Sequence, residues 1–181
     1  MKKKNILVSI IIPVYNEQNL IKKLLEKVNA VKNIKKEIII INDGSSDNTC
    51  KILKNECQNL FDKLIDCKEN KGKGHACRLG IKKAKGQIII IQDGDLEYNP
   101  KNYKRLIKPI LQNKSKVVYG SRVLKGAKRT RPKSFSFAIR IFANHFLTFL
   151  SNMLNNQNLT DAHTCYKVFL SKDIKKIELQ E

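Results

Sequence analysis

The stretch IIIIQDGDLE, residues 88–97, runs four isoleucines straight into three carboxylates. A short, wholly apolar, β-branched run bounded by turn residues marks a strand buried on both faces. Strands of that kind belong to parallel sheets covered by helices, and ligands of such sheets collect at the carboxyl ends of the strands. Read as extended chain, Asp93, Asp95 and Glu97 point the same way and can converge on one site. Gly94 between them lets a ligand come close to the backbone. Clustered carboxylates suit a hard divalent cation that keeps waters and bridges to phosphates. The plainer alternative is a solvated acidic turn, but a turn directly after so apolar a strand lies where sites form.

Working outward, the same alternation recurs. Val8–Ile12, Glu37–Ile41, Lys63–Cys67 and Val117–Tyr119 read as further strands beside Ile88–Gln92. Between them, Gln18–Val31, Asn48–Gln58, Gly74–Lys85 and Asn102–Gln112 carry apolar residues at helical spacing, as in the stripe Leu20, Leu24, Leu25 and Val28. This is an α/β pattern: a mostly parallel sheet flanked by helices. Its strand ends carry Pro13–Glu17, Asn42–Asp47, Asp93–Glu97 and Gly120–Arg122, so four candidate segments share one edge. Asp43 can accept hydrogen bonds from a nucleobase or ribose, whereas Asp47 is placed to cap the following helix. Asn70-Lys71-Gly72-Lys73-Gly74 reads as a phosphate cradle opening a helix, with Lys71 at its start. It lacks the third glycine of a dinucleotide fingerprint and the G-K-[ST] of a P-loop. Beyond Arg122 the chain turns basic, and Phe135–Leu154 then reads as a long helix with a wide apolar face.

Composition frames these motifs. The 181 residues fit one domain with a single core, and 41% hydrophobic with 29% charged residues is globular. The net charge of +20, from 36 Lys and Arg against 16 Asp and Glu, suits a polyanionic partner, although abundant lysine throughout also reads as simple compositional bias. Nucleic acid fits poorly, for no zinc finger, recognition helix or aromatic interleaving accompanies the charge. Five scattered cysteines without C-x-x-C read as reduced thiols, neither disulfides nor a zinc site, and the three histidines show no metal spacing. Lys2–Lys4 before Ile6–Val14 imitate a signal peptide, but no small-residue cleavage site follows, and no run of ~18 apolar residues spans a membrane.

Taken together, IIPVYNE (11–17), INDGSSDNT (41–49), NKGKGHA (70–76), QDGDLEYNP (92–100), YGSR (119–122) and TDAHTCYKVF (160–169) resemble glycosyltransferase family 2, in family order and over nearly the whole chain. The likeness is greatest to the branch that makes dolichyl- or polyprenyl-phosphate sugars. It implies a GT-A, Rossmann-like fold and an inverting sugar transfer from a nucleotide-diphosphate donor of the UDP-glucose or GDP-mannose type. It implies a donor pocket of Pro13, Tyr15, Glu17, Asp43, Asp93 and Arg122, with Mg2+ or Mn2+ on Asp95 and Glu97. Asp161 and Lys167 match the motif near the acceptor. A lipid phosphate is largely dianionic at neutral pH, since its second pKa is near ~6, so it needs orientation and charge compensation more than a base. Arg122, Lys125, Arg129, Arg131 and Lys167 suit that task, and Asp161 can position one of these cations.

The long apolar helix then has two readings: packing on the domain's own core, or peripheral contact with the inner face of the cell membrane from the cytoplasm. Three features depart from the family pattern, of which Gly94 in place of the commoner alanine is the mildest. Asn42 stands where an aspartate is usual, and the chain stops at Glu181 where relatives continue, which reads as a missing C-terminal segment. Alternatives remain: a saccharide acceptor, for which Asp161 would serve as a true base, or a sugar-nucleotide binder without turnover.

Overall fold

The computed structural model describes residues 6–121, 135–162 and 164–177. Strand and helix alternate through β1 (Leu7–Val14), α1 (Ile21–Asn29), β2 (Lys35–Asp43), α2 (Thr49–Glu56), β3 (Lys63–Cys67), α3 (Gly72–Lys83), β4 (Ile88–Ile91), α4 (Tyr103–Leu111) and β5 (Val117–Tyr119). The long α5 (Phe135–Asn155), β6 (Lys167–Leu170) and the single turn α6 (Ser171–Ile174) follow. One sheet runs in the order β3-β2-β1-β4-β6-β5. β1 is parallel to β2 and β4, and β2 to β3, while β6 is antiparallel to β4. The expected parallel α/β sheet is therefore present, with one strand that the apolar runs did not announce. β6 enters between β4 and β5, held on one side by the ladder to β4 and on the other by Leu170 N–H donating to the Lys116 carbonyl.

The chain forms two compact units, Met1–Val118 with Lys167–Glu181, and Tyr119–Tyr166. In the first, every residue from Val8 to Val14 is buried, as are all four isoleucines of β4, the outcome of covering both faces of a parallel sheet. Each valine or isoleucine among them contributes about 1.5–3 kcal/mol by leaving water. α1 buries Leu24, Leu25 and Val28 of the expected stripe, with Ile21 buried in place of Leu20, which is half-buried at the start of the helix. α3 lays Ala76 and Ile81 on Ile11, Ile39 and Ile41. It comes that close because residue 80 is glycine: a Cβ there would stand 2.8 Å from Ile41 Cδ1.

The second unit is arranged differently. α5 buries Thr148, whose Oγ1 donates to the Asn144 carbonyl and accepts the Ala162 N–H, and Asn152 brackets Leu159 through both its backbone groups. The apolar residues Ile139, Phe142, Phe146, Phe149 and Met153 are instead exposed, with Phe142 and Phe146 stacked at 6.5 Å. Among the described residues, no helix is long and apolar enough to cross a membrane.

Candidate active site

Parallel pairing brings the carboxyl ends of β1, β2 and β4 to one edge of the sheet, and the loops that leave them are stitched together. Asn16, at a left-handed φ of 55°, accepts the Ser46 N–H on Oδ1 at 2.9 Å while its own N–H donates to Ser45 Oγ at 3.0 Å. Glu17 N–H donates to Thr49 Oγ1 at 2.8 Å. Asp47 accepts the Thr49 N–H in an Asx turn one residue ahead of Asn48, which takes the N-cap position expected of Asp47, and also accepts the Gln18 N–H at 3.2 Å. Burial opposes ionisation of Asp47, yet these hydrogen bonds together hold its carboxyl below the usual range. Gly44, at φ 68°, lets this loop press on the one after β3, for a Cβ would meet the Asn70 amide nitrogen at 2.5 Å.

Between these loops lies a cavity of about 310 Å³, lined by Pro13, Tyr15, Glu17, Asp43, Asp93, Gly94 and Asp95 together with Asn70, Gly72 and Lys73. That volume is at the small end of the range for ligand sites. Seven residues expected at the site thus share one cavity. Lys71 is placed differently: its backbone N–H donates to both Asp43 carboxylate oxygens, at 3.1 and 3.3 Å. The side chain that faces the acids is Lys73, whose Nζ lies 2.5 Å from Asp93 Oδ1. That contact is an ion pair without hydrogen-bond angles, since Oδ1 is otherwise buried and unbonded.

The acidic segment is not extended. β4 ends at Ile91, and the chain bends through 94–98, because Asp95 Oδ1 accepts the Glu97 N–H at 3.0 Å in a tight Asx turn. Alternation therefore does not carry Glu97 to the side of Asp93 and Asp95: its side chain is exposed and lies outside the cavity lining. Gly94 is buried against the β1 loop, where a Cβ would sit 3.2 Å from both Glu17 Cγ and Val14 Cγ1. Gln92 and Tyr103, which the motif reading passed over, fix this turn: the buried Tyr103 hydroxyl donates to Gln92 Oε1 at 3.0 Å, and Gln92 Nε2 to the Asp93 carbonyl.

Three carboxylates, Glu17, Asp93 and Asp95, share this wall. Burial, and then the charges of Asp95, Asp47 and Asp93, raise the Glu17 carboxyl above its usual range. A hard divalent cation relieves such crowding and suits an all-oxygen donor set, so the residues present fit magnesium or manganese. Lys167 opens β6 in register with Ile91 and so stands at the same sheet edge. Asp161 is buried within the second unit. Arg122, Lys125, Arg129 and Arg131 fall outside the described residues.

Asn42 departs from the family pattern for a visible reason. It is 1% exposed and donates from Nδ2 to Asp66 Oδ1 at 2.8 Å, while its Oδ1 accepts the Ser45 hydroxyl at 2.5 Å. It ties β2 to β3 and to its own loop, a task that needs an amide donor facing a carboxylate.

Comparison with known proteins agrees with this geometry. The profile described as glycosyl transferase family 2 matches residues 9–178. A dolichol-phosphate mannosyltransferase of Pyrococcus furiosus is 34% identical over 122 residues, covering 67% of this chain and 34% of the relative. A UDP-N-acetylglucosamine–dolichyl-phosphate N-acetylglucosaminyltransferase of Methanococcus voltae is 32% identical over 193 aligned positions, covering 96% and 73%. Among solved structures, glucosyl-3-phosphoglycerate synthase of Mycobacterium tuberculosis, with Mn2+, UDP and phosphoglyceric acid, superimposes with a TM-score of 0.68 at 16% identity, over 92% of this chain and 56% of that one. At that identity the likeness speaks for the GT-A fold.

Proposed function

The chain belongs to glycosyl transferase family 2, and from that premise we propose that it transfers a sugar from a nucleoside-diphosphate donor to a polyprenyl phosphate of the dolichyl type. The observation that carries this reading is the cavity at the carboxyl edge of the sheet, where Glu17, Asp93 and Asp95 face Lys73 at the start of α3. The names of the two archaeal relatives, both dolichyl-phosphate sugar transferases, support the acceptor.

Each side chain has a task. Asp43, with Pro13 and Tyr15, receives the nucleoside, and its carboxylate is oriented by the Lys71 backbone. The pyrophosphate lies toward Lys73 and the first turn of α3, where the positive end of the helix dipole favours anions. Asp95, with Glu17 and Asp93 on the same wall, would hold the divalent cation. When bound, that ion neutralises charge on the departing nucleoside diphosphate. The nucleophile is the acceptor's own phosphate oxygen, which attacks the anomeric carbon as the bond to the donor phosphate breaks, inverting that centre. Such an oxygen needs no strong base, so Asp161 orients a cation and Lys167 and the arginines 122, 129 and 131 compensate the phosphate charge. The exposed stripe on α5, opposite its buried Thr148, supports peripheral contact with the membrane face where such a lipid resides.

The test is transfer of labelled sugar from UDP-glucose or GDP-mannose, with Mn2+, to a short polyprenyl phosphate. Labelled lipid, absent with Asp95→Ala, is the expected result. Donor that binds in a metal-dependent way, yet labels only a saccharide, would overturn the acceptor assignment.

A further inference from the structure

We propose that Asp43, Cys67 and His75 form a binding site for a transition-metal ion of the zinc class, built from side chains other than the Asp95 turn. The site follows from the register of the sheet. Asp43 and Cys67 are paired residues at the ends of the parallel strands β2 and β3, so their side chains leave the same face. α3 covers that face through Ala76 and Ile81, which pack on Ile39, Ile41 and the partly buried Cys67. His75 precedes Ala76 in the first turn of α3 and is thereby brought over the strand ends. One oxygen, one sulfur and one nitrogen from the three residues all lie within 4.8 Å of one another.

A second observation points to a ligand. His75 Nδ1 is buried without a hydrogen-bond partner and stands 3.9 Å from Asp43 Oδ1. Buried ring nitrogens are ordinarily satisfied, and a metal ion between the imidazole, the carboxylate and the thiol would satisfy this one. The donor set discriminates among metals. Sulfur and imidazole favour zinc and its neighbours, whereas magnesium and manganese seek oxygen alone. Zinc–ligand bonds of about 2.0–2.3 Å place tetrahedral ligands roughly 3.3–3.8 Å apart, so the widest pair closes by about an ångström. Asp43 also lines the cavity, which leaves the fourth position to water.

Binding is proton-coupled. The metal displaces one proton from sulfur to solvent as the metal–thiolate bond forms. Because the ion would occupy Asp43, it would compete with the nucleoside end of a donor, a consequence that rests on the function proposed above.

Cobalt provides the probe, since only a thiolate ligand gives the ultraviolet sulfur-to-cobalt charge-transfer band. The expected result is a band that saturates at one equivalent of Co2+ and is displaced by Zn2+. It should be lost in Cys67→Ser, weakened at least tenfold in affinity in His75→Ala, and kept in Cys50→Ser and Asp95→Ala, with circular-dichroism melts confirming that each variant is folded. A wild-type chain without a saturable band, or a band that survives Cys67→Ser, would overturn the site. In a second arm, zinc should weaken Mn2+-dependent donor binding in the wild type and not in Cys67→Ser. A chain that binds no donor would instead overturn the donor reading, leaving the cobalt titration to decide the metal site alone.

Discussion

Replacing Asn42 by aspartate installs the residue that the family pattern favours, and this structure predicts that the change destabilises the fold. Asn42 is buried, and its amide donates to Asp66 Oδ1 at 2.8 Å. Losing a hydrogen bond to a charged group removes about 1.5–3 kcal/mol. Two carboxylates roughly 3 Å apart repel by up to about 5 kcal/mol at an effective dielectric of 20. That figure is discounted heavily here, because the Asp66 side chain is 35% exposed and Lys54 Nζ stands 2.6 Å from its other oxygen. A net loss of about 3 kcal/mol at pH 7.5 is the working value, equivalent to ~1.5 M in the urea midpoint for an m-value of ~2 kcal/mol/M.

The pH dependence carries the sign. In the wild type, burial disfavours the Asp66 charge, but bonds from Lys54, Cys50 and Asn42 outweigh it and depress the carboxyl. That contribution is present above about pH 4 and is lost as pH falls through the depressed value. In the variant, one carboxyl of the pair has a raised folded pKa instead. Its penalty is full above that raised value and disappears toward about pH 4, where the protonated group again donates to its neighbour. Urea titrations of both proteins at pH 7.5 and pH 5 should show the gap narrowing on acidification, and Asn42→Asp combined with Asp66→Asn should recover most of it. An unchanged midpoint at pH 7.5, or a gap indifferent to pH, would refute the reasoning.

Gly80→Ala should lower stability by about 2 kcal/mol through overpacking, read as a fall in the urea midpoint without loss of helical signal, because its new methyl meets Ile11 and Ile41 in the helix–sheet seam. The two lysines of the cradle should separate in donor calorimetry: Lys73→Ala weakens binding at least tenfold, whereas Lys71→Ala, whose contribution is a backbone N–H, changes it less than threefold. Asp161→Asn should retain at least a fifth of transfer to polyprenyl phosphate, with no new acidic limb in the pH–rate profile. Near-total loss would instead mark Asp161 as the general base that a saccharide acceptor requires.

What could be read in advance was local in sequence. Four isoleucines announce β4, and the apolar stripe of α1 announces its buried face, because burial imposes its period on neighbouring residues. Asp93 and Asp95 were legible as a cavity pair because they directly follow that apolar strand. Glu97 was misplaced because one hydrogen bond, from its own amide to Asp95, bends a segment that alternation assumes straight. Lys71 was chosen over Lys73 because nothing local shows where α3 begins; with the helix starting at Gly72, φ 85°, Lys71 supplies an amide and Lys73 a charge. Asp43, Cys67 and His75 lie on three elements, and only sheet register unites them. β6 escaped notice because a four-residue strand beside a motif rich in polar residues has no period long enough to detect.

That late strand has a consequence for how the protein is made. β4 is complete once residue 91 has left the ribosome, yet its antiparallel neighbour does not exist until Lys167–Leu170 follow. During that interval an all-isoleucine strand presents an unpaired edge, the pattern most prone to intermolecular pairing. Closure of this edge spans a long chain separation and is expected to be slow. Truncations ending before Lys167 should therefore accumulate as aggregates, and lower growth temperature or slower synthesis should raise the soluble yield of the whole chain more than that of any shorter piece.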